Sequence, residues 1–434
     1  MNKFILTILI CLVTTLSYAQ DSTTSQRWNL HFQTTYIYQY KPSFTAKYSG
    51  ANSLITSEEK QNSLTATLYA TARLWRGAYI CLNPEVAGGS GLSGAFGMAG
   101  STNGETFRVG DPAPTLYTAR AFLSQTFPLG SKTEQQDDDA NQLAGTQPVD
   151  YLSFYIGKFS LGDFFDNNEF ANGPRTQFLN WAMMNNAAWD YAANTRGYTY
   201  SFTTILHRQS MSYKLGIAML PKTANGPELN TDIANVYAIN SEVSHAYKWH
   251  NKDGNIRFLG YLNTANMGTY RKAIDMSTIP DVVITRKSGN TKYGFGMNID
   301  QQLSTNVGVW ARLGWNDGKT ETWCFTEADA SVSLGLNIDG NLWKRKDDNI
   351  GIGMVANGIS KDHRNYLAKG GYGFQLGDGA LTYAPESILE LYYSCKPNSN
   401  GIWLSGDYQL AFNPGYNADR GPLQVFSFRV HVAL

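Results

Sequence analysis

Residues 27–41 read Arg27-Trp-Asn-Leu-His-Phe-Gln-Thr-Thr-Tyr-Ile-Tyr-Gln-Tyr-Lys41. Trp28, Leu30, Phe32, Tyr36, Tyr38 and Tyr40 fall on even positions, while Asn29, His31, Gln33, Thr35, Gln39 and Lys41 fall on odd ones. Side chains of an extended chain alternate between two faces, so this is a strand with one apolar and one polar side. Ordinary strands are about 5–6 residues long. A tilted strand that crosses a bilayer needs about 9–11. The alternation here runs the whole segment, and that length is the first sign of a membrane barrel.

The pattern recurs to the end of the chain. Leu64, Ala66, Leu68, Ala70, Ala72 and Leu74 alternate with Thr65, Thr67, Tyr69, Thr71 and Arg73. Phe426, Phe428, Val430, Val432 and Leu434 alternate with Ser427, Arg429 and His431. The same reading gives strands at 27–41, 62–75, 77–86, 115–127, 150–159, 197–208, 211–220, 234–248, 255–266, 291–303, 306–315, 329–340, 349–358, 386–395, 401–412 and 422–434. These sixteen meet the even count of a single-chain outer-membrane barrel. Short links (75–77, 208–210, 304–305) alternate with long ones (42–61, 87–114, 160–196, 267–290, 359–385), as in a porin with periplasmic turns and external loops. The link 128–149 breaks the rule. It is long where a short turn is expected, and it leaves 14 and 18 strands as alternatives.

Composition excludes other classes. Charged residues are 16% of the 434, against about 25% in ordinary soluble domains. Aromatic residues are 13%, and the formal net charge is zero. A disordered chain would be less hydrophobic and more highly charged, and a nucleic-acid binder would carry a basic excess. A bundle of membrane helices would not have a mean hydropathy of −0.32. A soluble β-sandwich would explain alternation, but not strand length or an apolar outer face. Residues 1–19 read as a secretory signal: Lys3, an apolar stretch from Phe4 to Leu16, then Ser17-Tyr18-Ala19 as cleavage site. Residues 20–434 form one barrel domain on this reading. The remaining cysteines, Cys81, Cys324 and Cys395, are isolated and form neither a disulfide framework nor a zinc site.

If the apolar face meets lipid, parity assigns the lumen. Arg73, Arg120, Lys214, Arg257, Lys292, Arg312 and Arg429 point inward, as do Glu85, Glu242, Asp300, Asp339, Glu390 and Asp407. A charge on the lipid face would cost roughly 2–4 kcal/mol for Arg or Lys at the midplane. Seven bases against six acids favour neither anions nor cations, which suits an uncharged solute. The link 160–196 mixes Asp163, Asp166, Glu169 and Asp190 with Arg175 and Arg196, and with Phe165, Trp181, Trp189 and Tyr191. A loop so apolar is expected to fold against the inner wall and narrow the pore. Its planar polar groups can bond sugar hydroxyls, and its aromatic faces can pack on a sugar ring. The alternative for each residue is an ion pair that ties the loop to the wall.

Other motifs fail. Gly89-Ser-Gly91-Leu-Ser-Gly94 fits a dinucleotide fingerprint but runs on into more glycine rather than a helix. Asp137-Asp138-Asp139 lacks the glycine and terminal glutamate of a calcium loop. No spacing indicates a catalytic triad, a metal or a cofactor, so no enzyme is expected.

Several long blocks resemble the carbohydrate-selective porin (OprB-type) family: residues 62–76, Asn83-Pro-Glu85, Asp139-Ala-Asn-Gln-Leu-Ala-Gly145, Asp166-Asn-Asn, Pro174-Arg-Thr-Gln-Phe-Leu-Asn-Trp181, Ala188-Trp-Asp-Tyr-Ala192 and Arg196-Gly-Tyr-Thr-Tyr200. The resemblance is dense from about 28 to 205 and thinner afterwards. It departs at Leu434, where outer-membrane barrels usually end in Phe. It implies an all-β, sixteen-stranded outer-membrane barrel that passes glucose-like sugars, narrowed by inward loops carrying Arg and acidic residues. Strand parity and the composition of the inward loop give the pore-lining and constriction residues as Arg73, Glu85, Arg120, Asp163, Asp166, Glu169, Arg175, Trp181, Asp190, Arg196, Lys214, Arg257 and Arg312. Both termini would be periplasmic in a Gram-negative bacterium. Partners would be small sugars or other small solutes, outer-membrane lipids and the barrel-assembly machinery, but no nucleic acid. Monomer and homo-oligomer both stay open, and diffusion of ions or divalent metal cations on the same barrel is the alternative function.

Overall fold

A computed structural model describes residues 26–105, 113–325, 327–397 and 401–434. The segment read as a secretory signal lies outside the described residues. Sixteen strands close into one antiparallel barrel. They are β1 Trp28–Lys41, β2 Glu59–Trp75, β3 Ala78–Gly88, β4 Thr115–Pro128, β5 Tyr151–Phe159, β6 Thr199–Arg208, β7 Met211–Ala218 and β8 Tyr237–Trp249. The second half continues with β9 Lys252–Ala265, β10 Asn290–Gln302, β11 Val307–Asn316, β12 Ala330–Asp339, β13 Asn349–Gly358, β14 Glu386–Cys395, β15 Ile402–Phe412 and β16 Leu423–Ala433. Each strand pairs with its neighbour in the chain. β16 closes on β1 with Tyr40 opposite Phe426 and Gln33 opposite Ala433. Closure leaves no unpaired edge along the wall.

Burial is the inverse of that in a water-soluble protein. Phe258, Phe295, Met354 and Leu391 are exposed on the outside, whereas Glu242, Asp300, Arg312, Glu390 and Arg429 are buried inside. A barrel with lipid around it requires this arrangement. Trp75 and Trp249, at the strand ends, are exposed by 57% and 52%, as expected for rings at a membrane interface.

One end of the barrel carries short turns. His250 and Asn251, between β8 and β9, have φ of 48° and 60°, the double positive φ of a two-residue hairpin turn that matches strand twist. The other end carries the long loops 42–58, 89–114, 160–198, 219–236, 266–289, 317–329, 359–385 and 413–422. Two short helices from these loops, Tyr270–Met276 and Lys361–Ala368, meet where the Tyr270 ring stacks on His363 at 4.3 Å. The exceptional link between β4 and β5 contains its own hairpin, Thr133–Gln136 with Gly145–Pro148, which does not join the wall. The barrel count is therefore sixteen.

Candidate functional site

The loop 160–198 lies inside the barrel, and charged side chains on distant strands hold its backbone. Glu390 on β14 accepts the N–H groups of Leu179 (2.5 Å) and Asn180 (2.9 Å). Arg312 on β11 donates to the carbonyls of Met183 (2.7 Å), Ala171 (2.7 Å) and Asp166 (3.1 Å). Its Nε lies 3.0 Å from the Asp166 carboxylate. Arg429 on β16 donates to the Gln177 carbonyl (2.9 Å) and to that of Pro174. Glu242 on β8 accepts from Asp166 N–H (2.7 Å) and from Lys214 (2.7 Å), whose ammonium also donates to the Phe164 carbonyl (2.5 Å). Asp190 accepts the N–H groups of Trp323 (2.9 Å), Cys324 (2.8 Å) and Phe325 (3.3 Å), joining this loop to the 317–329 loop. The loop 89–114 is held in the same way, with Glu386 accepting Ala99 N–H (3.0 Å) and Gly100 N–H (2.7 Å). Irregular backbone inside a barrel must find partners. Each such bond to a charged group contributes about 1.5–3 kcal/mol.

Between these two loops, the 317–329 loop and the inner wall of β3 and β4 lies a polar cavity of about 290 Å³. That is close to the lower end of small-ligand sites, which span about 300–1,000 Å³. Glu85, Glu105, Tyr117, Arg120, Asp163, Arg175, Trp181, Tyr191, Arg196, Tyr198 and Phe325 are among its lining residues. Arg120 grips Asp163 through two bonds of 2.7 and 2.6 Å. Arg175 meets Glu105 at 2.7 Å and donates to the Tyr69 hydroxyl at 3.0 Å. Glu85 accepts from Thr67 (2.5 Å), Tyr198 (3.1 Å) and Tyr117. Arg196 differs from the other two guanidinium groups. It lies over the Tyr117 ring at 4.2 Å, and its Nη1 has no hydrogen-bond partner among the described residues. On another side the rings of Trp181, Phe325 and Tyr191 run nearly parallel. Trp181 and Phe325 are 4.9 Å apart at 19°, and Tyr191 and Phe325 are 4.5 Å apart at 11°.

The residues singled out from the sequence divide accordingly. Glu85, Arg120, Asp163, Arg175, Trp181 and Arg196 come together at this cavity. Asp166, Asp190 and Arg312 do not, because they are buried where loop backbone meets wall or neighbouring loop. Lys214 and Arg257 are paired on the wall with Glu242 and Asp300, outside the cavity lining. Arg73 lies near the short-turn rim and donates to the Gln26 carbonyl at 3.0 Å. Glu169 is exposed and outside the cavity lining. The inward charges are thus not a bare lining of seven against six. Lys214, Arg257 and Arg312 face carboxylates, and Glu390 and Arg429 bond loop backbone.

Sequence reasoning missed Glu105, Tyr117, Tyr198 and Phe325. Tyr117 and Arg120 have opposite parity, yet both face inward. The β3–β4 register shifts at Asn83/Pro84, where Asn83 pairs with Arg120 and Pro84 with Thr118. A proline within a strand was the available signal for that bulge. Phe325 arrives through the Asp190 contacts from a loop far along the chain, and no local pattern announces it.

The profile of the OprB family, described as carbohydrate-selective porins, matches residues 51–434. The chain belongs to the OprB family. It is a carbohydrate-selective channel of the Gram-negative outer membrane. The matched segment covers the second half of the barrel as well, where sequence blocks alone were thin. No curated protein matches the chain. Among solved structures, OprB of Pseudomonas putida is similar over 96% of this chain and 100% of its own, with a TM-score of 0.72 at 16% identity. The outer membrane channel DcaP of Acinetobacter baumannii is similar over 96% and 99%, with a TM-score of 0.53 at 9% identity. At such identities the likeness concerns the fold. In this OprB-family porin the blocks 174–181 and 196–200 carry Arg175, Trp181 and Arg196 to one cavity.

Proposed function

We propose that the cavity between loops 89–114 and 160–198 is the selectivity constriction, and that small neutral hexoses diffuse through it passively. One observation carries the reading: the stacked rings of Trp181, Phe325 and Tyr191 line the same cavity as the Arg196 guanidinium. The C–H face of a pyranose packs on aromatic rings. Its hydroxyls take hydrogen bonds from planar donors and give them to carboxylates. Pairing of Arg120 with Asp163 and of Arg175 with Glu105 leaves those charges bonding-competent while reducing the field that would bind an ion. The three guanidinium groups weigh against a divalent cation as the solute.

The long-loop end faces the outside on this reading, and the short-turn end the periplasm, as is usual for such barrels. Liposome swelling tests the solute class. Vesicles holding the porin should swell rapidly in a neutral hexose and slowly in a neutral trisaccharide of equal osmolarity. Equal rates for both, or influx of Mn²⁺ without influx of hexose, would overturn the reading.

A further inference from the structure

The link from β4 to β5, residues 129–150, is the longest at the short-turn end. Its hairpin adds nothing to the wall. Its tip, residues 137–144, turns back onto inward-facing side chains. Asn29 on β1 donates to the Asp138 carboxylate (2.7 Å) and to the carbonyls of Gln142 (2.7 Å) and Asp139 (3.1 Å). Asn83 on β3 donates to the Asn141 side-chain oxygen at 2.9 Å. The Asn141 carbonyl lies 3.9 Å from Cys81 Sγ. Gln26 and Ala144 exchange two further bonds of 3.1 and 2.7 Å. Asn29, Cys81 and Asn83 are buried, while their strand neighbours Leu30, Ile80 and Leu82 are exposed on the outside. The tip therefore sits within the barrel.

Register gives its depth. Asn29 faces Thr71, and Thr71 faces Cys81, so these three form one hydrogen-bonded row across the wall. Asn83 is the next inward residue of β3, and Glu85, the one after, lines the cavity. Two residues of strand rise about 7 Å. Asn83 is also opposite Arg120, a second cavity residue. The tip thus ends about one inward step below the cavity floor.

We infer that residues 137–144 form a second narrowing of the channel, on the short-turn side of the cavity, past which every transported solute must move. The inference rests on the cavity being the constriction. Asp137 and Asp139 are exposed at this tip, and Asp138 is exposed beside His31 Nε2 at 3.2 Å, so the narrowing sorts solutes by charge as well as size and retards sugar acids relative to neutral sugars.

Asp138→Cys tests it directly. The variant is labelled with a cationic or an anionic methanethiosulfonate, labelling is verified by mass spectrometry, and single-channel current is recorded. Wild-type protein treated alike controls for the native cysteines. Either label should cause a stepwise loss of current, and the two should shift the reversal potential in opposite directions. Complete labelling with current and reversal potential unchanged would overturn the inference. A second variant, in which a short glycine turn replaces residues 134–147, should give a larger conductance and admit a disaccharide more readily. The same conductance and size cut-off as wild type, in protein that keeps its folded mobility on an unheated gel, would also overturn it. A wild-type channel that conducts ions but whose current no sugar reduces would instead overturn the constriction reading.

Discussion

Replacing Arg312 by Met removes the clasp that holds the constriction loop to β11 while keeping most of the side-chain volume. The guanidinium is 2% exposed, donates to three loop carbonyls and faces an Asp166 carboxylate that is equally buried. Removing one partner of a buried ion pair costs about 3–5 kcal/mol, because the other charge stays behind. Asp166 keeps its bonds from the N–H of Asn186 (2.8 Å) and from the Asn298 amide (2.8 Å), which places the expected cost at the lower end. The strand ladder of β11 with β10 and β12 does not involve this side chain. The loss therefore falls on attachment of the loop rather than on the wall. Every ~1.4 kcal/mol is a factor of ten, so the detached fraction rises by roughly two powers of ten or more. In planar bilayers Arg312→Met should give a larger and noisier open current, with weaker reduction by added hexose. Arg312→Lys keeps the charge but not the fork that spans three carbonyls, and should fall between. An Arg312→Met channel with wild-type conductance, noise and sugar response would refute the view that this contact positions the loop.

Two further outcomes follow from the same geometry. Arg120→Gln and Asp163→Asn each leave one charge of a two-bond pair unmatched at the cavity. The reversal potential in a salt gradient should move toward cation selectivity in the first and toward anion selectivity in the second, with the double variant close to wild type. Phe295, 61% exposed on the outer face, should tolerate Leu. Phe295→Arg should destabilise the barrel by up to about 2–4 kcal/mol, read from denaturant unfolding in lipid, because the charge meets hydrocarbon. A wild-type midpoint for the Arg variant would mean that this face does not contact lipid.

The wall was legible because a barrel strand announces itself twice, by length and by period two. The alternation of residues 27–41 alone gives β1, and the same rule locates each of the other strands. Parity also found the inward charges, but not what they touch. Arg312, Glu390 and Arg429 point into the lumen as expected, yet they bond the backbone of a loop that is distant in sequence. Their chemistry is set by long-range packing that no local window contains. The cavity was partly legible, since Arg175, Trp181 and Arg196 stand out in one unusual loop. Phe325 and Glu105 did not, because each belongs to a different loop and gains its place only when the loops dock. The link 128–149 breaks the alternation of short turns and long loops and leaves the strand count open by two. It is a hairpin folded back against Asn29 and Asn83, and its acidic tip is too short and polar to carry a pattern of its own.

On the proposed function, a sugar in transit rests on Trp181 beside Arg196. The most direct test is titration of a neutral hexose against the current of single channels, wild type beside Trp181→Ala. An aromatic contact of this kind is worth about 0.5–1.5 kcal/mol beyond buried area. The hexose concentration that halves the blockable current should therefore rise roughly two- to twelvefold in the variant, with the open current equal to or above wild type. An unchanged half-blocking concentration in a folded, conducting Trp181→Ala channel would contradict it.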